Sequence, residues 1–154
     1  MTFLRRTMLK SAGAVGTLLA AGLLKPTDGL AAEWQRQAFF ATTFSDALKA
    51  FGVTASTETR DILIGAAEIS ENGAQVPVDI VSNIPGNQTL AVFVERNPMP
   101  LAASLSFASG ALPQVRLQLK MAESSRVRVV VKAADGKTYH ASREIKVTLG
   151  GCGE

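Results

Sequence analysis

The segment that follows residue 32 has apolar side chains at the period of a helix. Within residues 33–52 they recur every three or four positions, at Trp34, Ala38, Ala41, Phe44, Leu48 and Phe51. This spacing places them on one face of a helix, and Gly52 stands where a helix-ending glycine is expected. We predict one amphipathic N-terminal helix that packs this stripe on its own domain; a helix that binds a partner is the alternative.

From residue 60 onward the apolar positions alternate with polar ones, which is typical of strands with one buried face. A first strand runs from Ile62 towards Ile69, and Pro77 is predicted to lie at a sheet edge because it lacks a backbone donor. Further strands are predicted in QVPVDIV (75–81), TLAVFVE (89–95), LAASLSFA (101–108) and QVRLQLKM (114–121).

Residues 126–149 predict a long hairpin that turns at Asp135-Gly136. In its second strand, one face is expected to carry Tyr139, Ala141, Ile145, Val147 and Leu149, with Arg143 as the exception. Seven short strands with no helix between them indicate a mainly β fold. We expect an immunoglobulin-like antiparallel β-sandwich preceded by the amphipathic helix.

Residues 1–31 have the composition of a cleavable signal peptide. A basic start is followed by 14 apolar residues, SAGAVGTLLAAGLL, which is short of the ~20 that span a membrane. Arg5 and Arg6, followed by Leu9 and Lys10, favour a twin-arginine signal over an ordinary secretory one. We therefore expect export to the periplasm, with residues 32–149 as the mature domain, 150–154 as a flexible arm and no membrane attachment after cleavage.

The net charge of +3 resides in the predicted signal peptide. Removing residues 1–31 takes away four basic side chains and one acidic one, and leaves twelve of each sign. No basic cluster then remains to neutralise phosphates, so a nucleic-acid partner is not expected.

Side chains for conventional catalysis are scarce. His140 is the only histidine, and strand alternation predicts that it faces outward in the hairpin. No HExxH or CxxC spacing is present, so neither a metal site nor a resident cofactor is expected. The sequence predicts no catalytic residue.

Cys152 is the only cysteine and lies two residues from the C-terminus in VTLGGCGE. A lone cysteine in an exported chain pairs with another chain or remains reactive. One interpretation is a carrier thiol on a thin swinging arm formed by Gly150, Gly151 and Gly153. The other is a structural subunit whose Cys152 forms an interchain disulfide, although a tether gains little from flanking glycines.

Four stretches together resemble the SoxY family, the sulfur carriers of the bacterial thiosulfate-oxidising (Sox) system. They are the C-terminal VTLGGCGE, the twin-arginine start, ENGAQVPVDI at 71–80 and DGKTYHASREIKVT at 135–148. The resemblance implies that the chain is not an enzyme and carries thiosulfate-derived sulfur as a thiosulfonate or persulfide on Cys152, with Gly150, Gly151 and Gly153 as its arm.

The same resemblance implies several partners. A SoxZ-like β-sandwich subunit would form a heterodimer with the chain. A haem c enzyme would couple thiosulfate to the thiol, a manganese hydrolase would release sulfate, and a sulfane dehydrogenase, where present, would oxidise the remaining sulfur.

Glu154 departs from the family pattern, in which a glycine usually ends the chain. Its carboxylate and the terminal carboxylate place two negative charges beside Cys152. Like charge disfavours the thiolate and repels anionic thiosulfate, so the precise substrate is less constrained than the carrier role.

Overall fold

The structure is a computed structural model that describes residues 35–107 and 110–149. The predicted signal peptide, Trp34 and the predicted C-terminal arm lie outside these residues. The elements in chain order are α1 (Arg36–Phe39), α2 (Phe44–Ala50), β1 (Thr57–Glu58), β2 (Ile62–Ala66), β3 (Ile69–Ser70), β4 (Val76–Ser82), β5 (Asn87–Val94), β6 (Leu101–Ser106), β7 (Gln114–Leu119), β8 (Ser125–Ala133) and β9 (Thr138–Val147).

The strands form two sheets, which confirms the predicted β-sandwich. The larger sheet has the order β1-β9-β8-β5-β6, with β3 also pairing with β9, and the smaller sheet has the order β2-β4-β7. The neighbours are antiparallel except β1 and β3, which run parallel to β9. The predicted hairpin joins β8 and β9, and Gly136 takes the positive φ of +80° that its turn requires.

The prediction that Pro77 marks an edge strand is wrong, because β4 lies in the middle of the smaller sheet. The register explains why proline is accepted there. Pro77 lies opposite Gln118 of β7, whereas the ladder with β2 begins one residue later, where Val78 lies opposite Ala66. Pro77 therefore has a neighbouring strand on one side only, so the strand is central but this position is not.

The single N-terminal helix that the sequence predicts is broken into α1 and α2. Thr43 has an extended backbone (φ −121°, ψ 147°), and its hydroxyl accepts a hydrogen bond from the Asp46 amide at 3.1 Å. Thr43 is thus an N-cap that starts a new helix. The helix-ending role predicted for Gly52 is confirmed: its φ is +78°, and its amide donates to Lys49 O at 2.8 Å.

Two apolar cores lie on opposite faces of the larger sheet. Between the sheets, the fully buried side chains of β5 and β8 are Leu90, Val92, Val94, Val127, Val129 and Val131. On the other face, the helical segment covers Ala91, Phe93 and Val130. The apolar stripe therefore packs on its own domain, as expected.

Phe93 is the centre of the core beneath the helices. Its ring meets those of Phe44 and Phe51 edge to face, at centroid distances of 5.7 and 5.9 Å. Lys132 of β8 also donates a hydrogen bond to Phe51 O, which ties the end of α2 to the sheet. Such aromatic pairs add to the free energy gained from burial alone.

A β-bulge in β6 changes which of its side chains face the sandwich. Val92 lies opposite Ala103 and Phe93 opposite Leu101, so Ala102 is an extra residue. Leu101 consequently joins the core beneath the helices, whereas Ala103 and Leu105 pack towards the core between the sheets.

No helix within the described ranges is long and apolar enough to cross a membrane.

Replacing Phe93 with alanine should destabilise the fold by about 3–5 kcal/mol, because it empties the centre of the core beneath the helices. Urea unfolding followed by circular dichroism measures the loss. Leu112→Ala is the control, since Leu112 is 82% exposed and its truncation should change stability by less than ~0.5 kcal/mol. Equal effects of the two substitutions would contradict the assignment of Phe93 to a core.

Candidate functional site

The residues predicted to form the site, Cys152 and its neighbours Gly150, Gly151 and Gly153, lie outside the described residues. The described residues end at Leu149, three residues before Cys152, and they include the neighbours that hold this end of the chain. We call this place the C-terminal base and define it as residues 68–73, Ser124 and residues 146–149. Its hydrogen bonds determine where the predicted arm begins.

One side of the C-terminal base is a short parallel ladder. Ile69 and Ser70 of β3 lie opposite Lys146 and Val147 of β9. The Lys146 amide donates to Glu68 O at 2.9 Å, and the Thr148 amide donates to Ser70 O at 3.1 Å. The ladder thus holds the chain one residue beyond the end of β9.

The turn after β3 holds Thr148 and Leu149. The Thr148 hydroxyl donates to Glu71 O at 3.0 Å, and the Gly73 amide donates to Leu149 O at 2.8 Å. Gly73 O in turn accepts from the Met121 amide at 2.7 Å, which ties the turn to the end of β7. Glu71 and Gly73 belong to the start of the stretch ENGAQVPVDI, so part of that stretch lies against the last residues before the predicted arm.

Ser124 holds β9 from the opposite side. Its hydroxyl accepts from the Val147 amide at 2.9 Å and lies 3.3 Å from Val147 O, to which it donates. The final residues of β9 are thus fixed by neighbours on both sides.

Leu149 differs from its sequence-based prediction. Tyr139, Ala141 and Val147 pack partly buried against the core between the sheets and Ile145 is fully buried, but Leu149 is 70% exposed. Leu149 lies past the end of β9, and its carbonyl oxygen accepts a hydrogen bond from the Gly73 amide. Cys152 follows three residues later, within ~10 Å of Leu149 at full extension.

His140 faces away from the core between the sheets, but it is not a free surface side chain. Its face of β9 is partly covered, and Nδ1 lies 2.8 Å from the Ser56 hydroxyl. Burial and the nearby charge of Arg128 lower the pKa of His140 below its ordinary value, against the smaller opposing effects of Glu58 and Glu95.

His140 cannot serve Cys152 as a base within one chain. His140 lies seven positions before Val147 on β9, which is ~23 Å along a strand. That distance exceeds the ~10 Å over which Cys152 can move from Leu149. The residues that the structure describes also contain no cluster of three or more metal-ligating side chains.

Replacing Ser124 with alanine should loosen the end of β9, because the Val147 amide loses its acceptor. We expect hydrogen exchange at Val147 to accelerate about five- to tenfold, which corresponds to the loss of about 1 kcal/mol of local protection. Amide exchange measured by NMR is the test. Ser56→Ala, which removes the hydroxyl partner of His140, should leave Val147 unchanged; an unaltered Val147 rate in Ser124→Ala would show that Ser124 does not hold this end.

The lowered pKa of His140 predicts the sign of a pH effect. Between its folded pKa and about 6.5, the unfolded chain binds a proton more readily than the folded one, so stability should fall as the pH drops through this window. As the only histidine, it gives one imidazole resonance, whose NMR titration midpoint should lie below 6.5. His140→Gln should flatten this part of the stability profile, and a midpoint above 6.5 would refute the assignment.

Comparison with known proteins adds to this geometry. The chain matches no curated protein sequence. Among solved structures, it is similar to the sulfur carrier protein SoxY from Chlorobium limicola f thiosulfatophilum, with 39% identity, a TM-score of 0.61 and coverage of 68% of this chain and 94% of that chain. It is also similar to a variant of the superoxide reductase (neelaredoxin) from Ignicoccus hospitalis, with 20% identity, a TM-score of 0.50 and coverage of 60% and 82%, a likeness of fold alone.

A family model settles the relationship. The model described as sulfur oxidation protein SoxY matches residues 47–152, a span that includes both sheets and ends at Cys152. Since this match covers most of the chain and agrees with the structural likeness, the chain belongs to the SoxY family of sulfur oxidation proteins.

Proposed function

We propose that this protein is an exported sulfur carrier that binds thiosulfate-derived sulfur covalently on Cys152 and presents it to partner enzymes. The observation that carries the proposal is the position of the family match, which runs through the fold and ends at the lone cysteine. The SoxY family and the sulfur carrier from Chlorobium support the role in sulfur oxidation.

The first step that we propose is an oxidative coupling. The Cys152 thiol and thiosulfate form a cysteine S-thiosulfonate, with loss of one proton and two electrons, and a haem c partner enzyme accepts the electrons. A new S–S bond joins the Cys152 sulfur to the outer sulfur of thiosulfate. Glu154 and the terminal carboxylate oppose this step, because they disfavour the thiolate and repel the anion.

The second step is a hydrolysis. Water cleaves the bond between the sulfane sulfur and the sulfonate, which releases sulfate and one proton and leaves a protonated persulfide on Cys152. A manganese hydrolase catalyses this step in our proposal, and a sulfane dehydrogenase, where present, oxidises the remaining sulfur. That oxidation takes six electrons from the persulfide sulfur and adds three waters to give an S-sulfonate, and a second hydrolysis then releases sulfate and restores the Cys152 thiol.

The described geometry supports a division of labour between carrier and enzymes. The base at Leu149 is fixed by hydrogen bonds, so we propose that Gly150, Gly151 and Gly153 form a thin arm that inserts Cys152 into the channel of an enzyme. His140 is out of reach of Cys152, so no histidine of this chain serves the thiol as a base. The partners supply the acid, base and redox groups.

Export and assembly complete the proposal. A twin-arginine signal in residues 1–31 would take the chain, already folded, to the periplasm. A SoxZ-like subunit without its own signal would travel bound to it as a heterodimer. This partner gives a reason for folded export in a chain whose sequence shows no cofactor motif.

The Cys152→Ser variant should abolish sulfur loading without changing the fold, because it removes the only thiol and exchanges a single side-chain atom. The full chain is incubated with its SoxZ subunit, the haem c enzyme and thiosulfate, and intact mass spectrometry detects the adduct. Wild type should gain a thiosulfonate that the hydrolase shortens to a persulfide, whereas the variant should gain no mass.

Ser45→Ala is the control, because it removes an exposed hydroxyl of α2, away from both Cys152 and β6, and should load like wild type. Unmodified Cys152 during turnover, or thiosulfate oxidation at the wild-type rate with Cys152→Ser, would refute the carrier role. If the wild type instead accumulated as a stable disulfide dimer that no sulfur substrate altered, the structural interpretation of Cys152 would replace it.

A further inference from the structure

We propose that the free edge of β6 is a docking site for the edge strand of a second β-sandwich subunit, which extends the larger sheet. The inference rests on the proposed function, which gives the carrier such a subunit, and it adds the surface where that subunit binds. Two independent features of β6 carry it, its unguarded backbone and the half-buried apolar side chains beside it.

The backbone of β6 has a neighbour on one side. Among the residues that the structure describes, β6 pairs with β5 and with no other strand. The bulge at Ala102 lies at the start of the strand, and the register from Ala103 to Ser106 is regular. Every second residue of this segment therefore directs a backbone donor and acceptor to the free edge, which is the arrangement that accepts an added strand.

The edge lacks the charges that usually prevent such pairing. The sequence from Asn97 through Val115 contains no charged residue, and β6 contains no proline. Natural edge strands that stay unpaired are commonly guarded by lysine, proline or an inward-pointing charge.

The opposite flank of the sandwich is guarded in this way. Arg143 of β9 reaches the edge of β2 and donates to Ile64 O at 3.3 Å. The two-residue strands β1 and β3 also occupy the outer side of β9 in the larger sheet. Because the β9 side is occupied and the β6 side is not, we assign the partner to the edge of β6.

The side chains around β6 show what the partner would bury. Ala103, Leu105 and Phe107 are only partly buried, and on the smaller sheet Val115 and Leu117 are partly buried against the same core. A strand added to β6 would bring its own inward-facing side chains over this group and remove it from water.

The chemistry of the edge fits an extended strand rather than a charged ligand. The other face of β6 presents Ser104 and Ser106, which are exposed and small, so a neighbouring strand can approach without steric conflict. Three inter-strand spacings, or ~14 Å, separate β6 from β9 in the sheet. A subunit on β6 therefore leaves the C-terminal base uncovered for the enzymes that act on Cys152.

The test adds two lysines to the edge. Ser104→Lys/Ser106→Lys should weaken binding to the SoxZ subunit of the same organism at least about tenfold, because the charges must be desolvated when a strand adds. The Kd is measured by isothermal titration calorimetry with the two proteins purified separately. Thermal melting should show an unchanged free chain, since both serines are exposed.

Thr57→Lys is the matched control, because it places the same charge on exposed β1 at the other side of the larger sheet. It should change the Kd less than twofold. An unchanged Kd for Ser104→Lys/Ser106→Lys would overturn the proposal. So would a wild-type homodimer that the two lysines disperse while SoxZ binding persists, since the edge would then serve a second copy of this chain.

The carrier role is separated from the docking site by Cys152→Ser, which should bind SoxZ like wild type. If the two lysines weaken binding while Cys152 of the wild type never acquires sulfur, the docking site stands and the proposed function fails.

Discussion

The central strands of the larger sheet, β5 and β8, carry apolar side chains on both faces. The smaller sheet covers one face and the helices cover the other. Val127, Val129 and Val131 of β8 face the smaller sheet, whereas Val130 of the same strand and Phe93 of β5 face the helices. A strand buried on both faces requires a layer on each side. The helical segment is therefore a structural layer of the domain, and its apolar stripe packs on Phe93.

The sequence predicts the layers well because each rests on a local pattern. Period-two alternation locates the strands. The turn at Asp135-Gly136 and the helix end at Gly52 can be predicted because each contains a glycine, which readily takes a positive φ. The break between α1 and α2 depends on Thr43 folding back on Asp46, a competition that a continuous apolar stripe conceals. The position of Pro77 depends on where the partner strand β2 stops, and such register is fixed by contacts between distant residues.

The candidate site divides in the same way. Cys152 and its glycines can be proposed as a site from the sequence alone, because a lone cysteine in that setting has few interpretations. The base that anchors them cannot, since β3 has two residues and its bonds to β9 join segments about 77 positions apart, as between Glu71 and Thr148. The stretch ENGAQVPVDI could be recognised by resemblance, but only the structure gives part of it a physical role beside Leu149.

The hydrogen bonds of the C-terminal base would give the predicted arm two lengths. They lie at the end of a strand, where local opening costs much less than global unfolding, and each contributes about 0.5–1.5 kcal/mol net. Releasing Thr148 and Leu149 from Ser70, Glu71 and Gly73 frees two more residues and adds ~7 Å of chain. The carrier would thus have a short resting reach and a longer one obtained by a fluctuation that leaves both cores intact, and enzymes with channels of different depth could draw on the same thiol.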